Sequence, residues 1–188
     1  MRILGISGSL RRDSHNTMLL RAVADMLPPG ARLELFSGLR AVEPFDEDDE
    51  PTARVPAGVH ALRSAISESD RLLIATPEYN SSIPGQLKNA LDWASRPRAT
   101  SVLYDKPVAV IGASTGLFGA VWAQAELRKV LQSSGARVLD RELPLMQAVG
   151  QFDELGRLVD PDVRTQLSEH VDALLGLDHA TVAASAAA

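Results

Sequence analysis

Short apolar runs alternate with amphipathic segments from the start of the chain. Residues 2–7 form an apolar run that ends in a cluster of glycine and serine, which is typical of a buried parallel strand rather than a helix. The next segment, residues 16–30, spaces its apolar side chains at helical intervals and then stops at Pro28, Pro29 and Gly30, which indicates a helix. The chain is therefore predicted to open as strand, polar loop and helix.

The same alternation continues along the chain. Further strands are predicted from the apolar or alternating runs at residues 31–37, 70–77, 106–114 and 136–143. Further helices are predicted from the amphipathic segments at residues 58–69, 83–97, 120–135 and 160–177. Strands and helices that alternate without a repeat or a composition shift predict one doubly wound α/β domain over residues 1–177, with a five-stranded parallel sheet. The alanine-rich tail, residues 178–188, has no pattern that packs and is expected to be disordered.

Composition restricts the chemistry that such a domain can carry. The 188 residues include no cysteine, which excludes disulfides, thiolate nucleophiles, iron–sulfur clusters and cysteine-based zinc sites together. Any redox chemistry therefore depends on a bound cofactor. The net charge of −5 argues against a nucleic-acid partner, and the sequence shows neither a signal-peptide core nor an apolar run of membrane-span length. We expect a cytoplasmic protein with small-molecule partners.

The histidines and the longest acidic run do not predict a metal site. His15, His60, His170 and His179 share no metal-ligand spacing. The carboxylates at residues 46–50 are interpreted as a solvated face, which is the usual role of a block of like charges. No metal ion is therefore expected.

The loop after the first strand, "GISGSLRRDSHN" at residues 5–16, is rich in anion-binding groups. It lacks the lysine and the second glycine of a mononucleotide P-loop, and it lacks the third glycine of a dinucleotide fingerprint. In a doubly wound sheet this loop borders the ligand site, and the start of the following helix favours an anion. A phosphate monoester suits donors of this kind, which are Ser9, Arg11, Ser14, Asn16 and Thr17. The alternative is that Ser14 and Asn16 only cap the helix.

A second polar loop follows the third strand. Pro77 and Pro84 bracket it and limit its backbone freedom, so the amides between them can form a fixed array. Glu78, Tyr79 and Asn80 then offer an acceptor, an aromatic face and an amide to a flat heteroaromatic ring. One loop for a phosphate and one for a planar ring describe a mononucleotide with a large ring system, and FMN fits both halves.

These loops carry a resemblance to a known family. The segment "GSLRRDSHN" fits the pattern G-S-L-R-x-x-S-x-N, and "PEYNSSIPGQLKNALDW" fits P-E-Y-N-x-S-x-P-G-x-L-K-N-A-x-D-W in full. On these motifs the chain resembles the NAD(P)H-dependent FMN reductases, which include quinone reductases also studied as chromate and azo-dye reductases. The resemblance implies a flavodoxin-like fold with strand order 2-1-3-4-5.

The resemblance also implies roles for individual residues. The FMN phosphate is then held by Ser9, Arg11, Ser14 and Asn16, with Thr17 beside them. The isoalloxazine ring is lined by Pro77, Glu78, Tyr79 and Asn80. The other edge of the ring is closed, after the fourth strand, by Ser114, Thr115 and Gly116.

The activity that follows from the resemblance is cofactor chemistry. A hydride passes from NADPH or NADH to bound FMN and then to a quinone or similar acceptor (azo dye, chromate or flavin) by a ping-pong mechanism, without a catalytic side chain. A homodimer or homotetramer is implied, with apolar faces at residues 87–94 or 121–131 as candidate contacts. Alternatives are a reductase that supplies free reduced FMN to a monooxygenase, and a flavodoxin-type electron carrier. Residues 112–116, "GASTG", also match the serine-hydrolase elbow in letters, but a hydrolase leaves both polar loops unexplained.

Overall fold

Strands and helices alternate throughout the computed structural model, which describes residues 1–50 and 54–177. The strands are β1 (Arg2–Ser7), β2 (Arg32–Leu35), β3 (Arg71–Thr76), β4 (Pro107–Ala113), β5 (Arg137–Val138) and β6 (Pro144–Leu145). The helices are α1 (His15–Ala24), α2 (Ala57–Ser67), α3 (Gly85–Ala94), α4 (Val121–Ser133) and α5 (Pro161–Leu175). None of the helices in these two ranges has the length and apolar character needed to cross a bilayer. The prediction for residues 178–188 lies outside the described residues.

The strands form one parallel sheet in the order β2-β1-β3-β4-β5, which confirms the predicted topology. The two central strands, β3 and β4, are buried along their whole length because helices cover both faces of the sheet. One face packs against apolar side chains of α2, α3 and α4, and the other against those of α1 and α5. This doubly wound arrangement brings the loops after β1, β3 and β4 to one edge.

The fifth strand position differs from the continuous strand expected at residues 136–143. Two segments of two residues occupy it, β5 beside one end of β4 and β6 beside the other. Between them the chain leaves the sheet at the consecutive charged residues Asp140, Arg141 and Glu142, which cannot alternate into a core. The buried His170 of α5 hydrogen-bonds the backbone of Val110, which lies in this gap.

Candidate functional site

The loop between β1 and α1 is fixed to the sheet at its first residue. The Gly8 N–H donates to the carbonyl of Ala75 at 2.8 Å, next to the end of β3. A Cβ at Gly8 would lie 2.9 Å from Cδ2 of Leu87 in α3, so a larger residue here would require the Leu87 side chain to move. The start of the predicted phosphate loop is therefore held next to the end of β3.

Hydroxyl groups line this loop in a connected series. Ser14 is the N-cap of α1, and its Oγ accepts from the Thr17 N–H at 3.3 Å. The Thr17 hydroxyl donates to Ser7 Oγ at 2.9 Å, and Ser7 Oγ accepts from the Ser9 N–H at 3.4 Å. The capping alternative is thus realised for Ser14, but an oxygen that accepts still has its own proton to donate to an anion.

Asn16 does not have the free side chain that a phosphate ligand needs. Its Nδ2 donates to the carbonyl of Ala113 at 3.0 Å, and its Oδ1 accepts from the Ala113 N–H at 2.9 Å. The side chain is 3% exposed and joins α1 to the end of β4. Both groups of the side-chain amide are thus bonded to β4, and the backbone N–H of Asn16, in the first turn of α1, is the group through which it can contact a phosphate.

Arg11 is the charged group of the loop. It is exposed, and it forms no ion pair with any residue in the part of the chain that the structure describes. It lines a cavity of about 350 Å³ together with Ser7, Ser9 and Thr17, and no aspartate or glutamate contributes to the lining. Hydroxyls, a guanidinium and a helix N-terminus without a competing carboxylate make a donor set that fits a phosphate monoester.

The same cavity includes residues that the sequence analysis did not single out. Arg21 comes from α1, and Ser37 and Arg40 follow β2. The Arg40 Nη2 donates to the Leu10 carbonyl at 2.9 Å, which connects the segment after β2 to the phosphate loop. The signal for Ser37 and Arg40 in the sequence was their place after the carboxyl end of a strand, where ligands bind in such sheets, whereas Arg21 has no such signal.

The loop after β3 folds into a tight turn. Tyr79 and Ser82 exchange two backbone hydrogen bonds of 2.9 and 3.1 Å, and the residues between them, Asn80 and Ser81, have φ values of 52° and 62°. Positive φ at both central residues defines a type I′ turn; asparagine tolerates this region, whereas serine adopts it at some cost. Tyr79 is 48% exposed on this turn and Pro77 is buried. The turn presents Tyr79 and Asn80 at the open edge of the sheet on a constrained backbone.

Glu78 joins this turn to the neighbouring loop. Its Oε2 accepts from the Ala123 N–H at 3.2 Å, in the first turn of α4. The N-cap residue of α4, Ala120, has no side chain that can cap, so the carboxylate of Glu78 caps the helix and stabilises its positive end. One oxygen of this carboxylate, which is predicted to line the ring, is thus bonded to α4.

The loop after β4 is held mainly through its backbone. Ser114 donates from its N–H to Leu145 and accepts at its carbonyl from Ala148, while the Gly116 carbonyl accepts from Gln147 at 2.9 Å. Thr115 and Gly116 are exposed at the same edge as the Tyr79 turn. Three predicted ring-edge residues thus lie on a loop whose position is set by the segment after β6.

Buried Gln124 supports this loop from α4. Its Nε2 donates to the Gly119 carbonyl at 3.0 Å and its Oε1 accepts from the Leu143 N–H at 3.0 Å. It is fully buried, 0% exposed, and packs against Gly112, where a Cβ would lie 2.7 Å from its amide nitrogen. In the sequence it is one more polar residue on an amphipathic helix, so no local signal identifies it.

Aromatic and aliphatic side chains are exposed beside the same loop. Phe118 and Trp122 contact each other edge to face with centroids 4.9 Å apart, and they are 59% and 49% exposed. Leu117 next to them is 64% exposed. This exposed cluster borders the edge of the sheet at which the three loops meet.

Comparison with known proteins identifies relatives over almost the whole chain. A family model of NADPH-dependent FMN reductases matches residues 1–150. The NAD(P)H-dependent FMN reductase of Pseudomonas aeruginosa is 40% identical over 177 residues, which cover 93% of each chain. The 2-hydroxy-1,4-benzoquinone reductase of a Burkholderia species is 37% identical over 173 residues, which cover 92% of this chain and 93% of the relative.

Solved structures show the same architecture. The flavoenzyme FerB of Paracoccus denitrificans, an NAD(P)H:acceptor oxidoreductase, matches with a TM-score of 0.85 and 32% identity, covering 93% of this chain and 95% of its own. A flavodoxin variant from Pseudomonas aeruginosa, at 16% identity and a TM-score of 0.59, covers 94% of this chain and 100% of its own and shares the fold. Fold and relatives together define a flavodoxin-like flavoprotein oxidoreductase. The chain belongs to the NADPH-dependent FMN reductase family, and it is an oxidoreductase that uses FMN and NAD(P)H.

Proposed function

We propose that this chain oxidises NAD(P)H and reduces a quinone or a similar small acceptor in two successive half-reactions at one site. FMN, when bound, supplies the chemistry that stores two electrons between the two half-reactions. The observation that supports the proposal most directly is the cavity beside Arg11, which has hydroxyl and guanidinium donors and no carboxylate. It lies at the same edge of the sheet as the Tyr79 turn and the loop after β4.

The phosphate of FMN is assigned to the first loop. Arg11 supplies a charge-assisted hydrogen bond, Ser9 and Ser14 supply hydroxyl donors, and the N-terminus of α1 adds backbone N–H groups and a positive potential. Thr17 orients Ser7 and, through it, the backbone of Ser9. Asn16 contributes by fixing α1 against β4, and its backbone N–H is the group it offers to the phosphate.

The flat ring of FMN is assigned to the space between the second and third loops. Tyr79 and Asn80 lie on a constrained turn, and Thr115 and Gly116 lie on a loop fixed by backbone hydrogen bonds. Amides held in position before the reaction stabilise negative charge on a bound ring better than water does, because they need no reorganisation. Pro77, Glu78 and Ser114 act mainly by fixing these loops.

The nicotinamide and the acceptor are both flat, and the three loops meet at a single open edge of the sheet. This arrangement supports a ping-pong sequence. The nicotinamide and the acceptor both need the same exposed ring face, so one leaves before the other enters. The two relatives that act on a benzoquinone or on a general acceptor support a quinone as the acceptor. Azo dyes, chromate and free flavin are further acceptors to be compared with it.

We also propose that the protein assembles as a homodimer or a homotetramer. Of the two helices considered for the contact, α3 has its tryptophan, Trp93, fully buried and bonded to the Glu43 carbonyl. Trp122 at the start of α4 and Phe118 in the loop before it are instead exposed, which makes this end the better candidate. Sedimentation velocity of the protein and of Trp122→Ala tests the assignment, since a contact through this residue predicts a shift toward smaller species.

Steady-state kinetics test the reaction. The concentrations of a benzoquinone acceptor and of NADPH or NADH are varied together with the FMN-loaded protein. We expect turnover well above that of free FMN and parallel double-reciprocal lines. Intersecting lines would contradict the ping-pong sequence. Turnover no faster than that of free FMN would contradict the proposed enzymatic activity and favour the electron-carrier alternative.

Retention of FMN during turnover distinguishes the proposed quinone reductase from a reductase that releases reduced FMN. If the protein supplied free reduced FMN to a monooxygenase, the flavin would pass through a membrane filter during turnover. We expect the flavin to stay with the protein through many turnovers.

A further inference from the structure

The cavity beside the phosphate loop extends beyond the groups that an FMN phosphate needs. Its wall continues from Arg11 to Arg21 of α1 and to Ser37 and Arg40 after β2. A phosphate monoester carries about two negative charges at neutral pH. Arg11 and the N-terminus of α1 supply about 1.5 positive charges, close to that demand, so Arg21 and Arg40 together bring more positive charge than an FMN phosphate needs.

These two arginines are not used in ion pairs. Both are exposed, and neither pairs with a carboxylate among residues 1–50 and 54–177. Arg40 uses one nitrogen for the Leu10 carbonyl, which positions its guanidinium and leaves other N–H groups to donate. In a protein with a net charge of −5, a cavity lined by three arginines and no acidic residue is a local positive site.

The end of β2 has a known use in dinucleotide-binding sheets. An acidic residue there bonds the hydroxyls of the adenosine ribose of NADH, whereas an arginine nearby accommodates the 2′-phosphate of NADPH. In this chain β2 is followed by Phe36 and Ser37, without an acid, and Arg40 lies three residues further on. The residues after β2 therefore match the phosphorylated form of the dinucleotide.

The distance from the FMN ring to the end of β2 fits a nicotinamide dinucleotide whose nicotinamide contacts the ring. The order β2-β1-β3 puts the phosphate loop between the end of β2 and the Tyr79 turn. Two strand spacings separate β2 from β3, about 10 Å. A dinucleotide with its nicotinamide at the ring and its chain running along the edge of the sheet is long enough to reach the end of β2.

We propose that Arg21, Ser37 and Arg40 form an anion subsite for the 2′-phosphate of NADPH, and that the enzyme prefers NADPH to NADH for this reason. The inference rests on the proposed function, because it needs the nicotinamide to meet the ring between the second and third loops. The subsite is separate from the FMN phosphate, which Arg11 and the start of α1 hold.

Binding of 2′,5′-ADP to the FMN-loaded protein tests the subsite without turnover. Isothermal titration is expected to show binding of 2′,5′-ADP that 5′-AMP and inorganic phosphate do not reproduce. Arg21→Gln and Arg40→Gln are each expected to weaken it about tenfold, as for one charge-assisted hydrogen bond. Equal binding of 2′,5′-ADP and 5′-AMP by the unaltered protein would overturn the proposal.

Kinetics and FMN binding distinguish this subsite from the FMN site. In both variants the ratio of kcat/KM for NADPH to that for NADH is expected to fall about tenfold. Arg32→Gln, at the other end of the β2 strand and paired with Glu34, is the matched control and should keep the ratio. An unchanged ratio in both variants would overturn the proposal.

FMN affinity provides the second criterion. Titration of the apo-protein should give nearly the same dissociation constant for Arg21→Gln as for the unaltered protein. A loss of FMN affinity as large as the loss of 2′,5′-ADP affinity would assign the cavity to the FMN phosphate and overturn the inference. If the unaltered protein oxidised neither nicotinamide, the proposed function would fail instead, whatever the result of the 2′,5′-ADP titration.

Discussion

The side-chain amide of Asn16 bonds both backbone groups of Ala113, 97 residues away in the chain. The two bonds fix the first turn of α1 to the end of β4, where the third loop of the site begins. Because the phosphate loop precedes α1, this contact sets its position relative to the loop assigned to the ring. The motif residue that resembles a phosphate ligand therefore has a structural part in aligning two loops.

Asn16→Ala is expected to destabilise the protein before any cofactor binds. Two buried hydrogen bonds are lost and two backbone groups of Ala113 are left unsatisfied, which should lower the free energy of unfolding by about 2 kcal/mol. Urea unfolding of the apo-protein measures this change. Asn16→Asp places a carboxylate oxygen against the Ala113 carbonyl in a buried site, so a loss at least as large as that of Asn16→Ala is expected near neutral pH. Unchanged apo-protein stability with lost FMN affinity would instead show that the side chain only binds phosphate.

Gly116→Ala tests the position of the ring without disturbing the loop. A Cβ here would meet only Ser114 Oγ within 4 Å, at 3.8 Å, and the residue does not have a positive φ. The fold should therefore accept the methyl group, while a ring edge against Gly116 would meet it and lose affinity about tenfold. FMN titration and thermal unfolding measure the two effects. Gly176→Ala, at the end of α5, is the control that should change neither. Full FMN affinity in Gly116→Ala would place the ring elsewhere.

His170 gives the protein a predictable loss of stability in acid. Burial, with Arg141 and then Arg128 adding smaller effects, lowers the pKa of His170 from 6.5 to about 4. As the pH falls, the unfolded chain binds this proton first, so the stabilisation is complete above pH 6.5 and is lost toward pH 4. The expected loss in the free energy of unfolding is about 3 kcal/mol.

Chemical denaturation at several pH values measures this slope. His170→Gln keeps a donor for the Val110 carbonyl and does not titrate, so its stability should vary less between pH 6.5 and 4. His60→Gln alters an exposed histidine on α2 and should retain the full slope. Parallel curves for the unaltered protein and His170→Gln would contradict the assignment.

The sequence predicts those features that depend on neighbouring residues. The serine cap at Ser14 follows from the local preference of helix starts for this residue type. The strand and helix positions follow from apolar spacing in the same way. The order of the strands comes from the resemblance of two motifs, since spacing alone does not fix which strands pair.

The remaining features depend on partners that are distant in the chain. Nothing near Asn16 indicates Ala113, and nothing near Glu78 indicates that its carboxylate caps α4. Arg40 enters the site only because β2 lies beside β1. The break in the fifth strand depends on a run of charges that cannot enter the core.

We propose that the loop after β1 holds the phosphate of FMN, and substitution of Arg11 tests this assignment best. Arg11 is exposed and unpaired within the described residues, so removing its charge should leave the apo-fold intact. Its neighbour Arg12 is equally exposed and does not line the cavity, which makes Arg12→Ala a matched control.

The deciding measurement is the dissociation constant of FMN for the unaltered protein, Arg11→Ala and Arg12→Ala, from quenching of flavin fluorescence at low ionic strength. We expect Arg11→Ala to raise the constant about 10- to 100-fold, the value of one charge-assisted hydrogen bond, and Arg12→Ala to leave it nearly unchanged. Equal constants for the unaltered protein and Arg11→Ala would contradict the account.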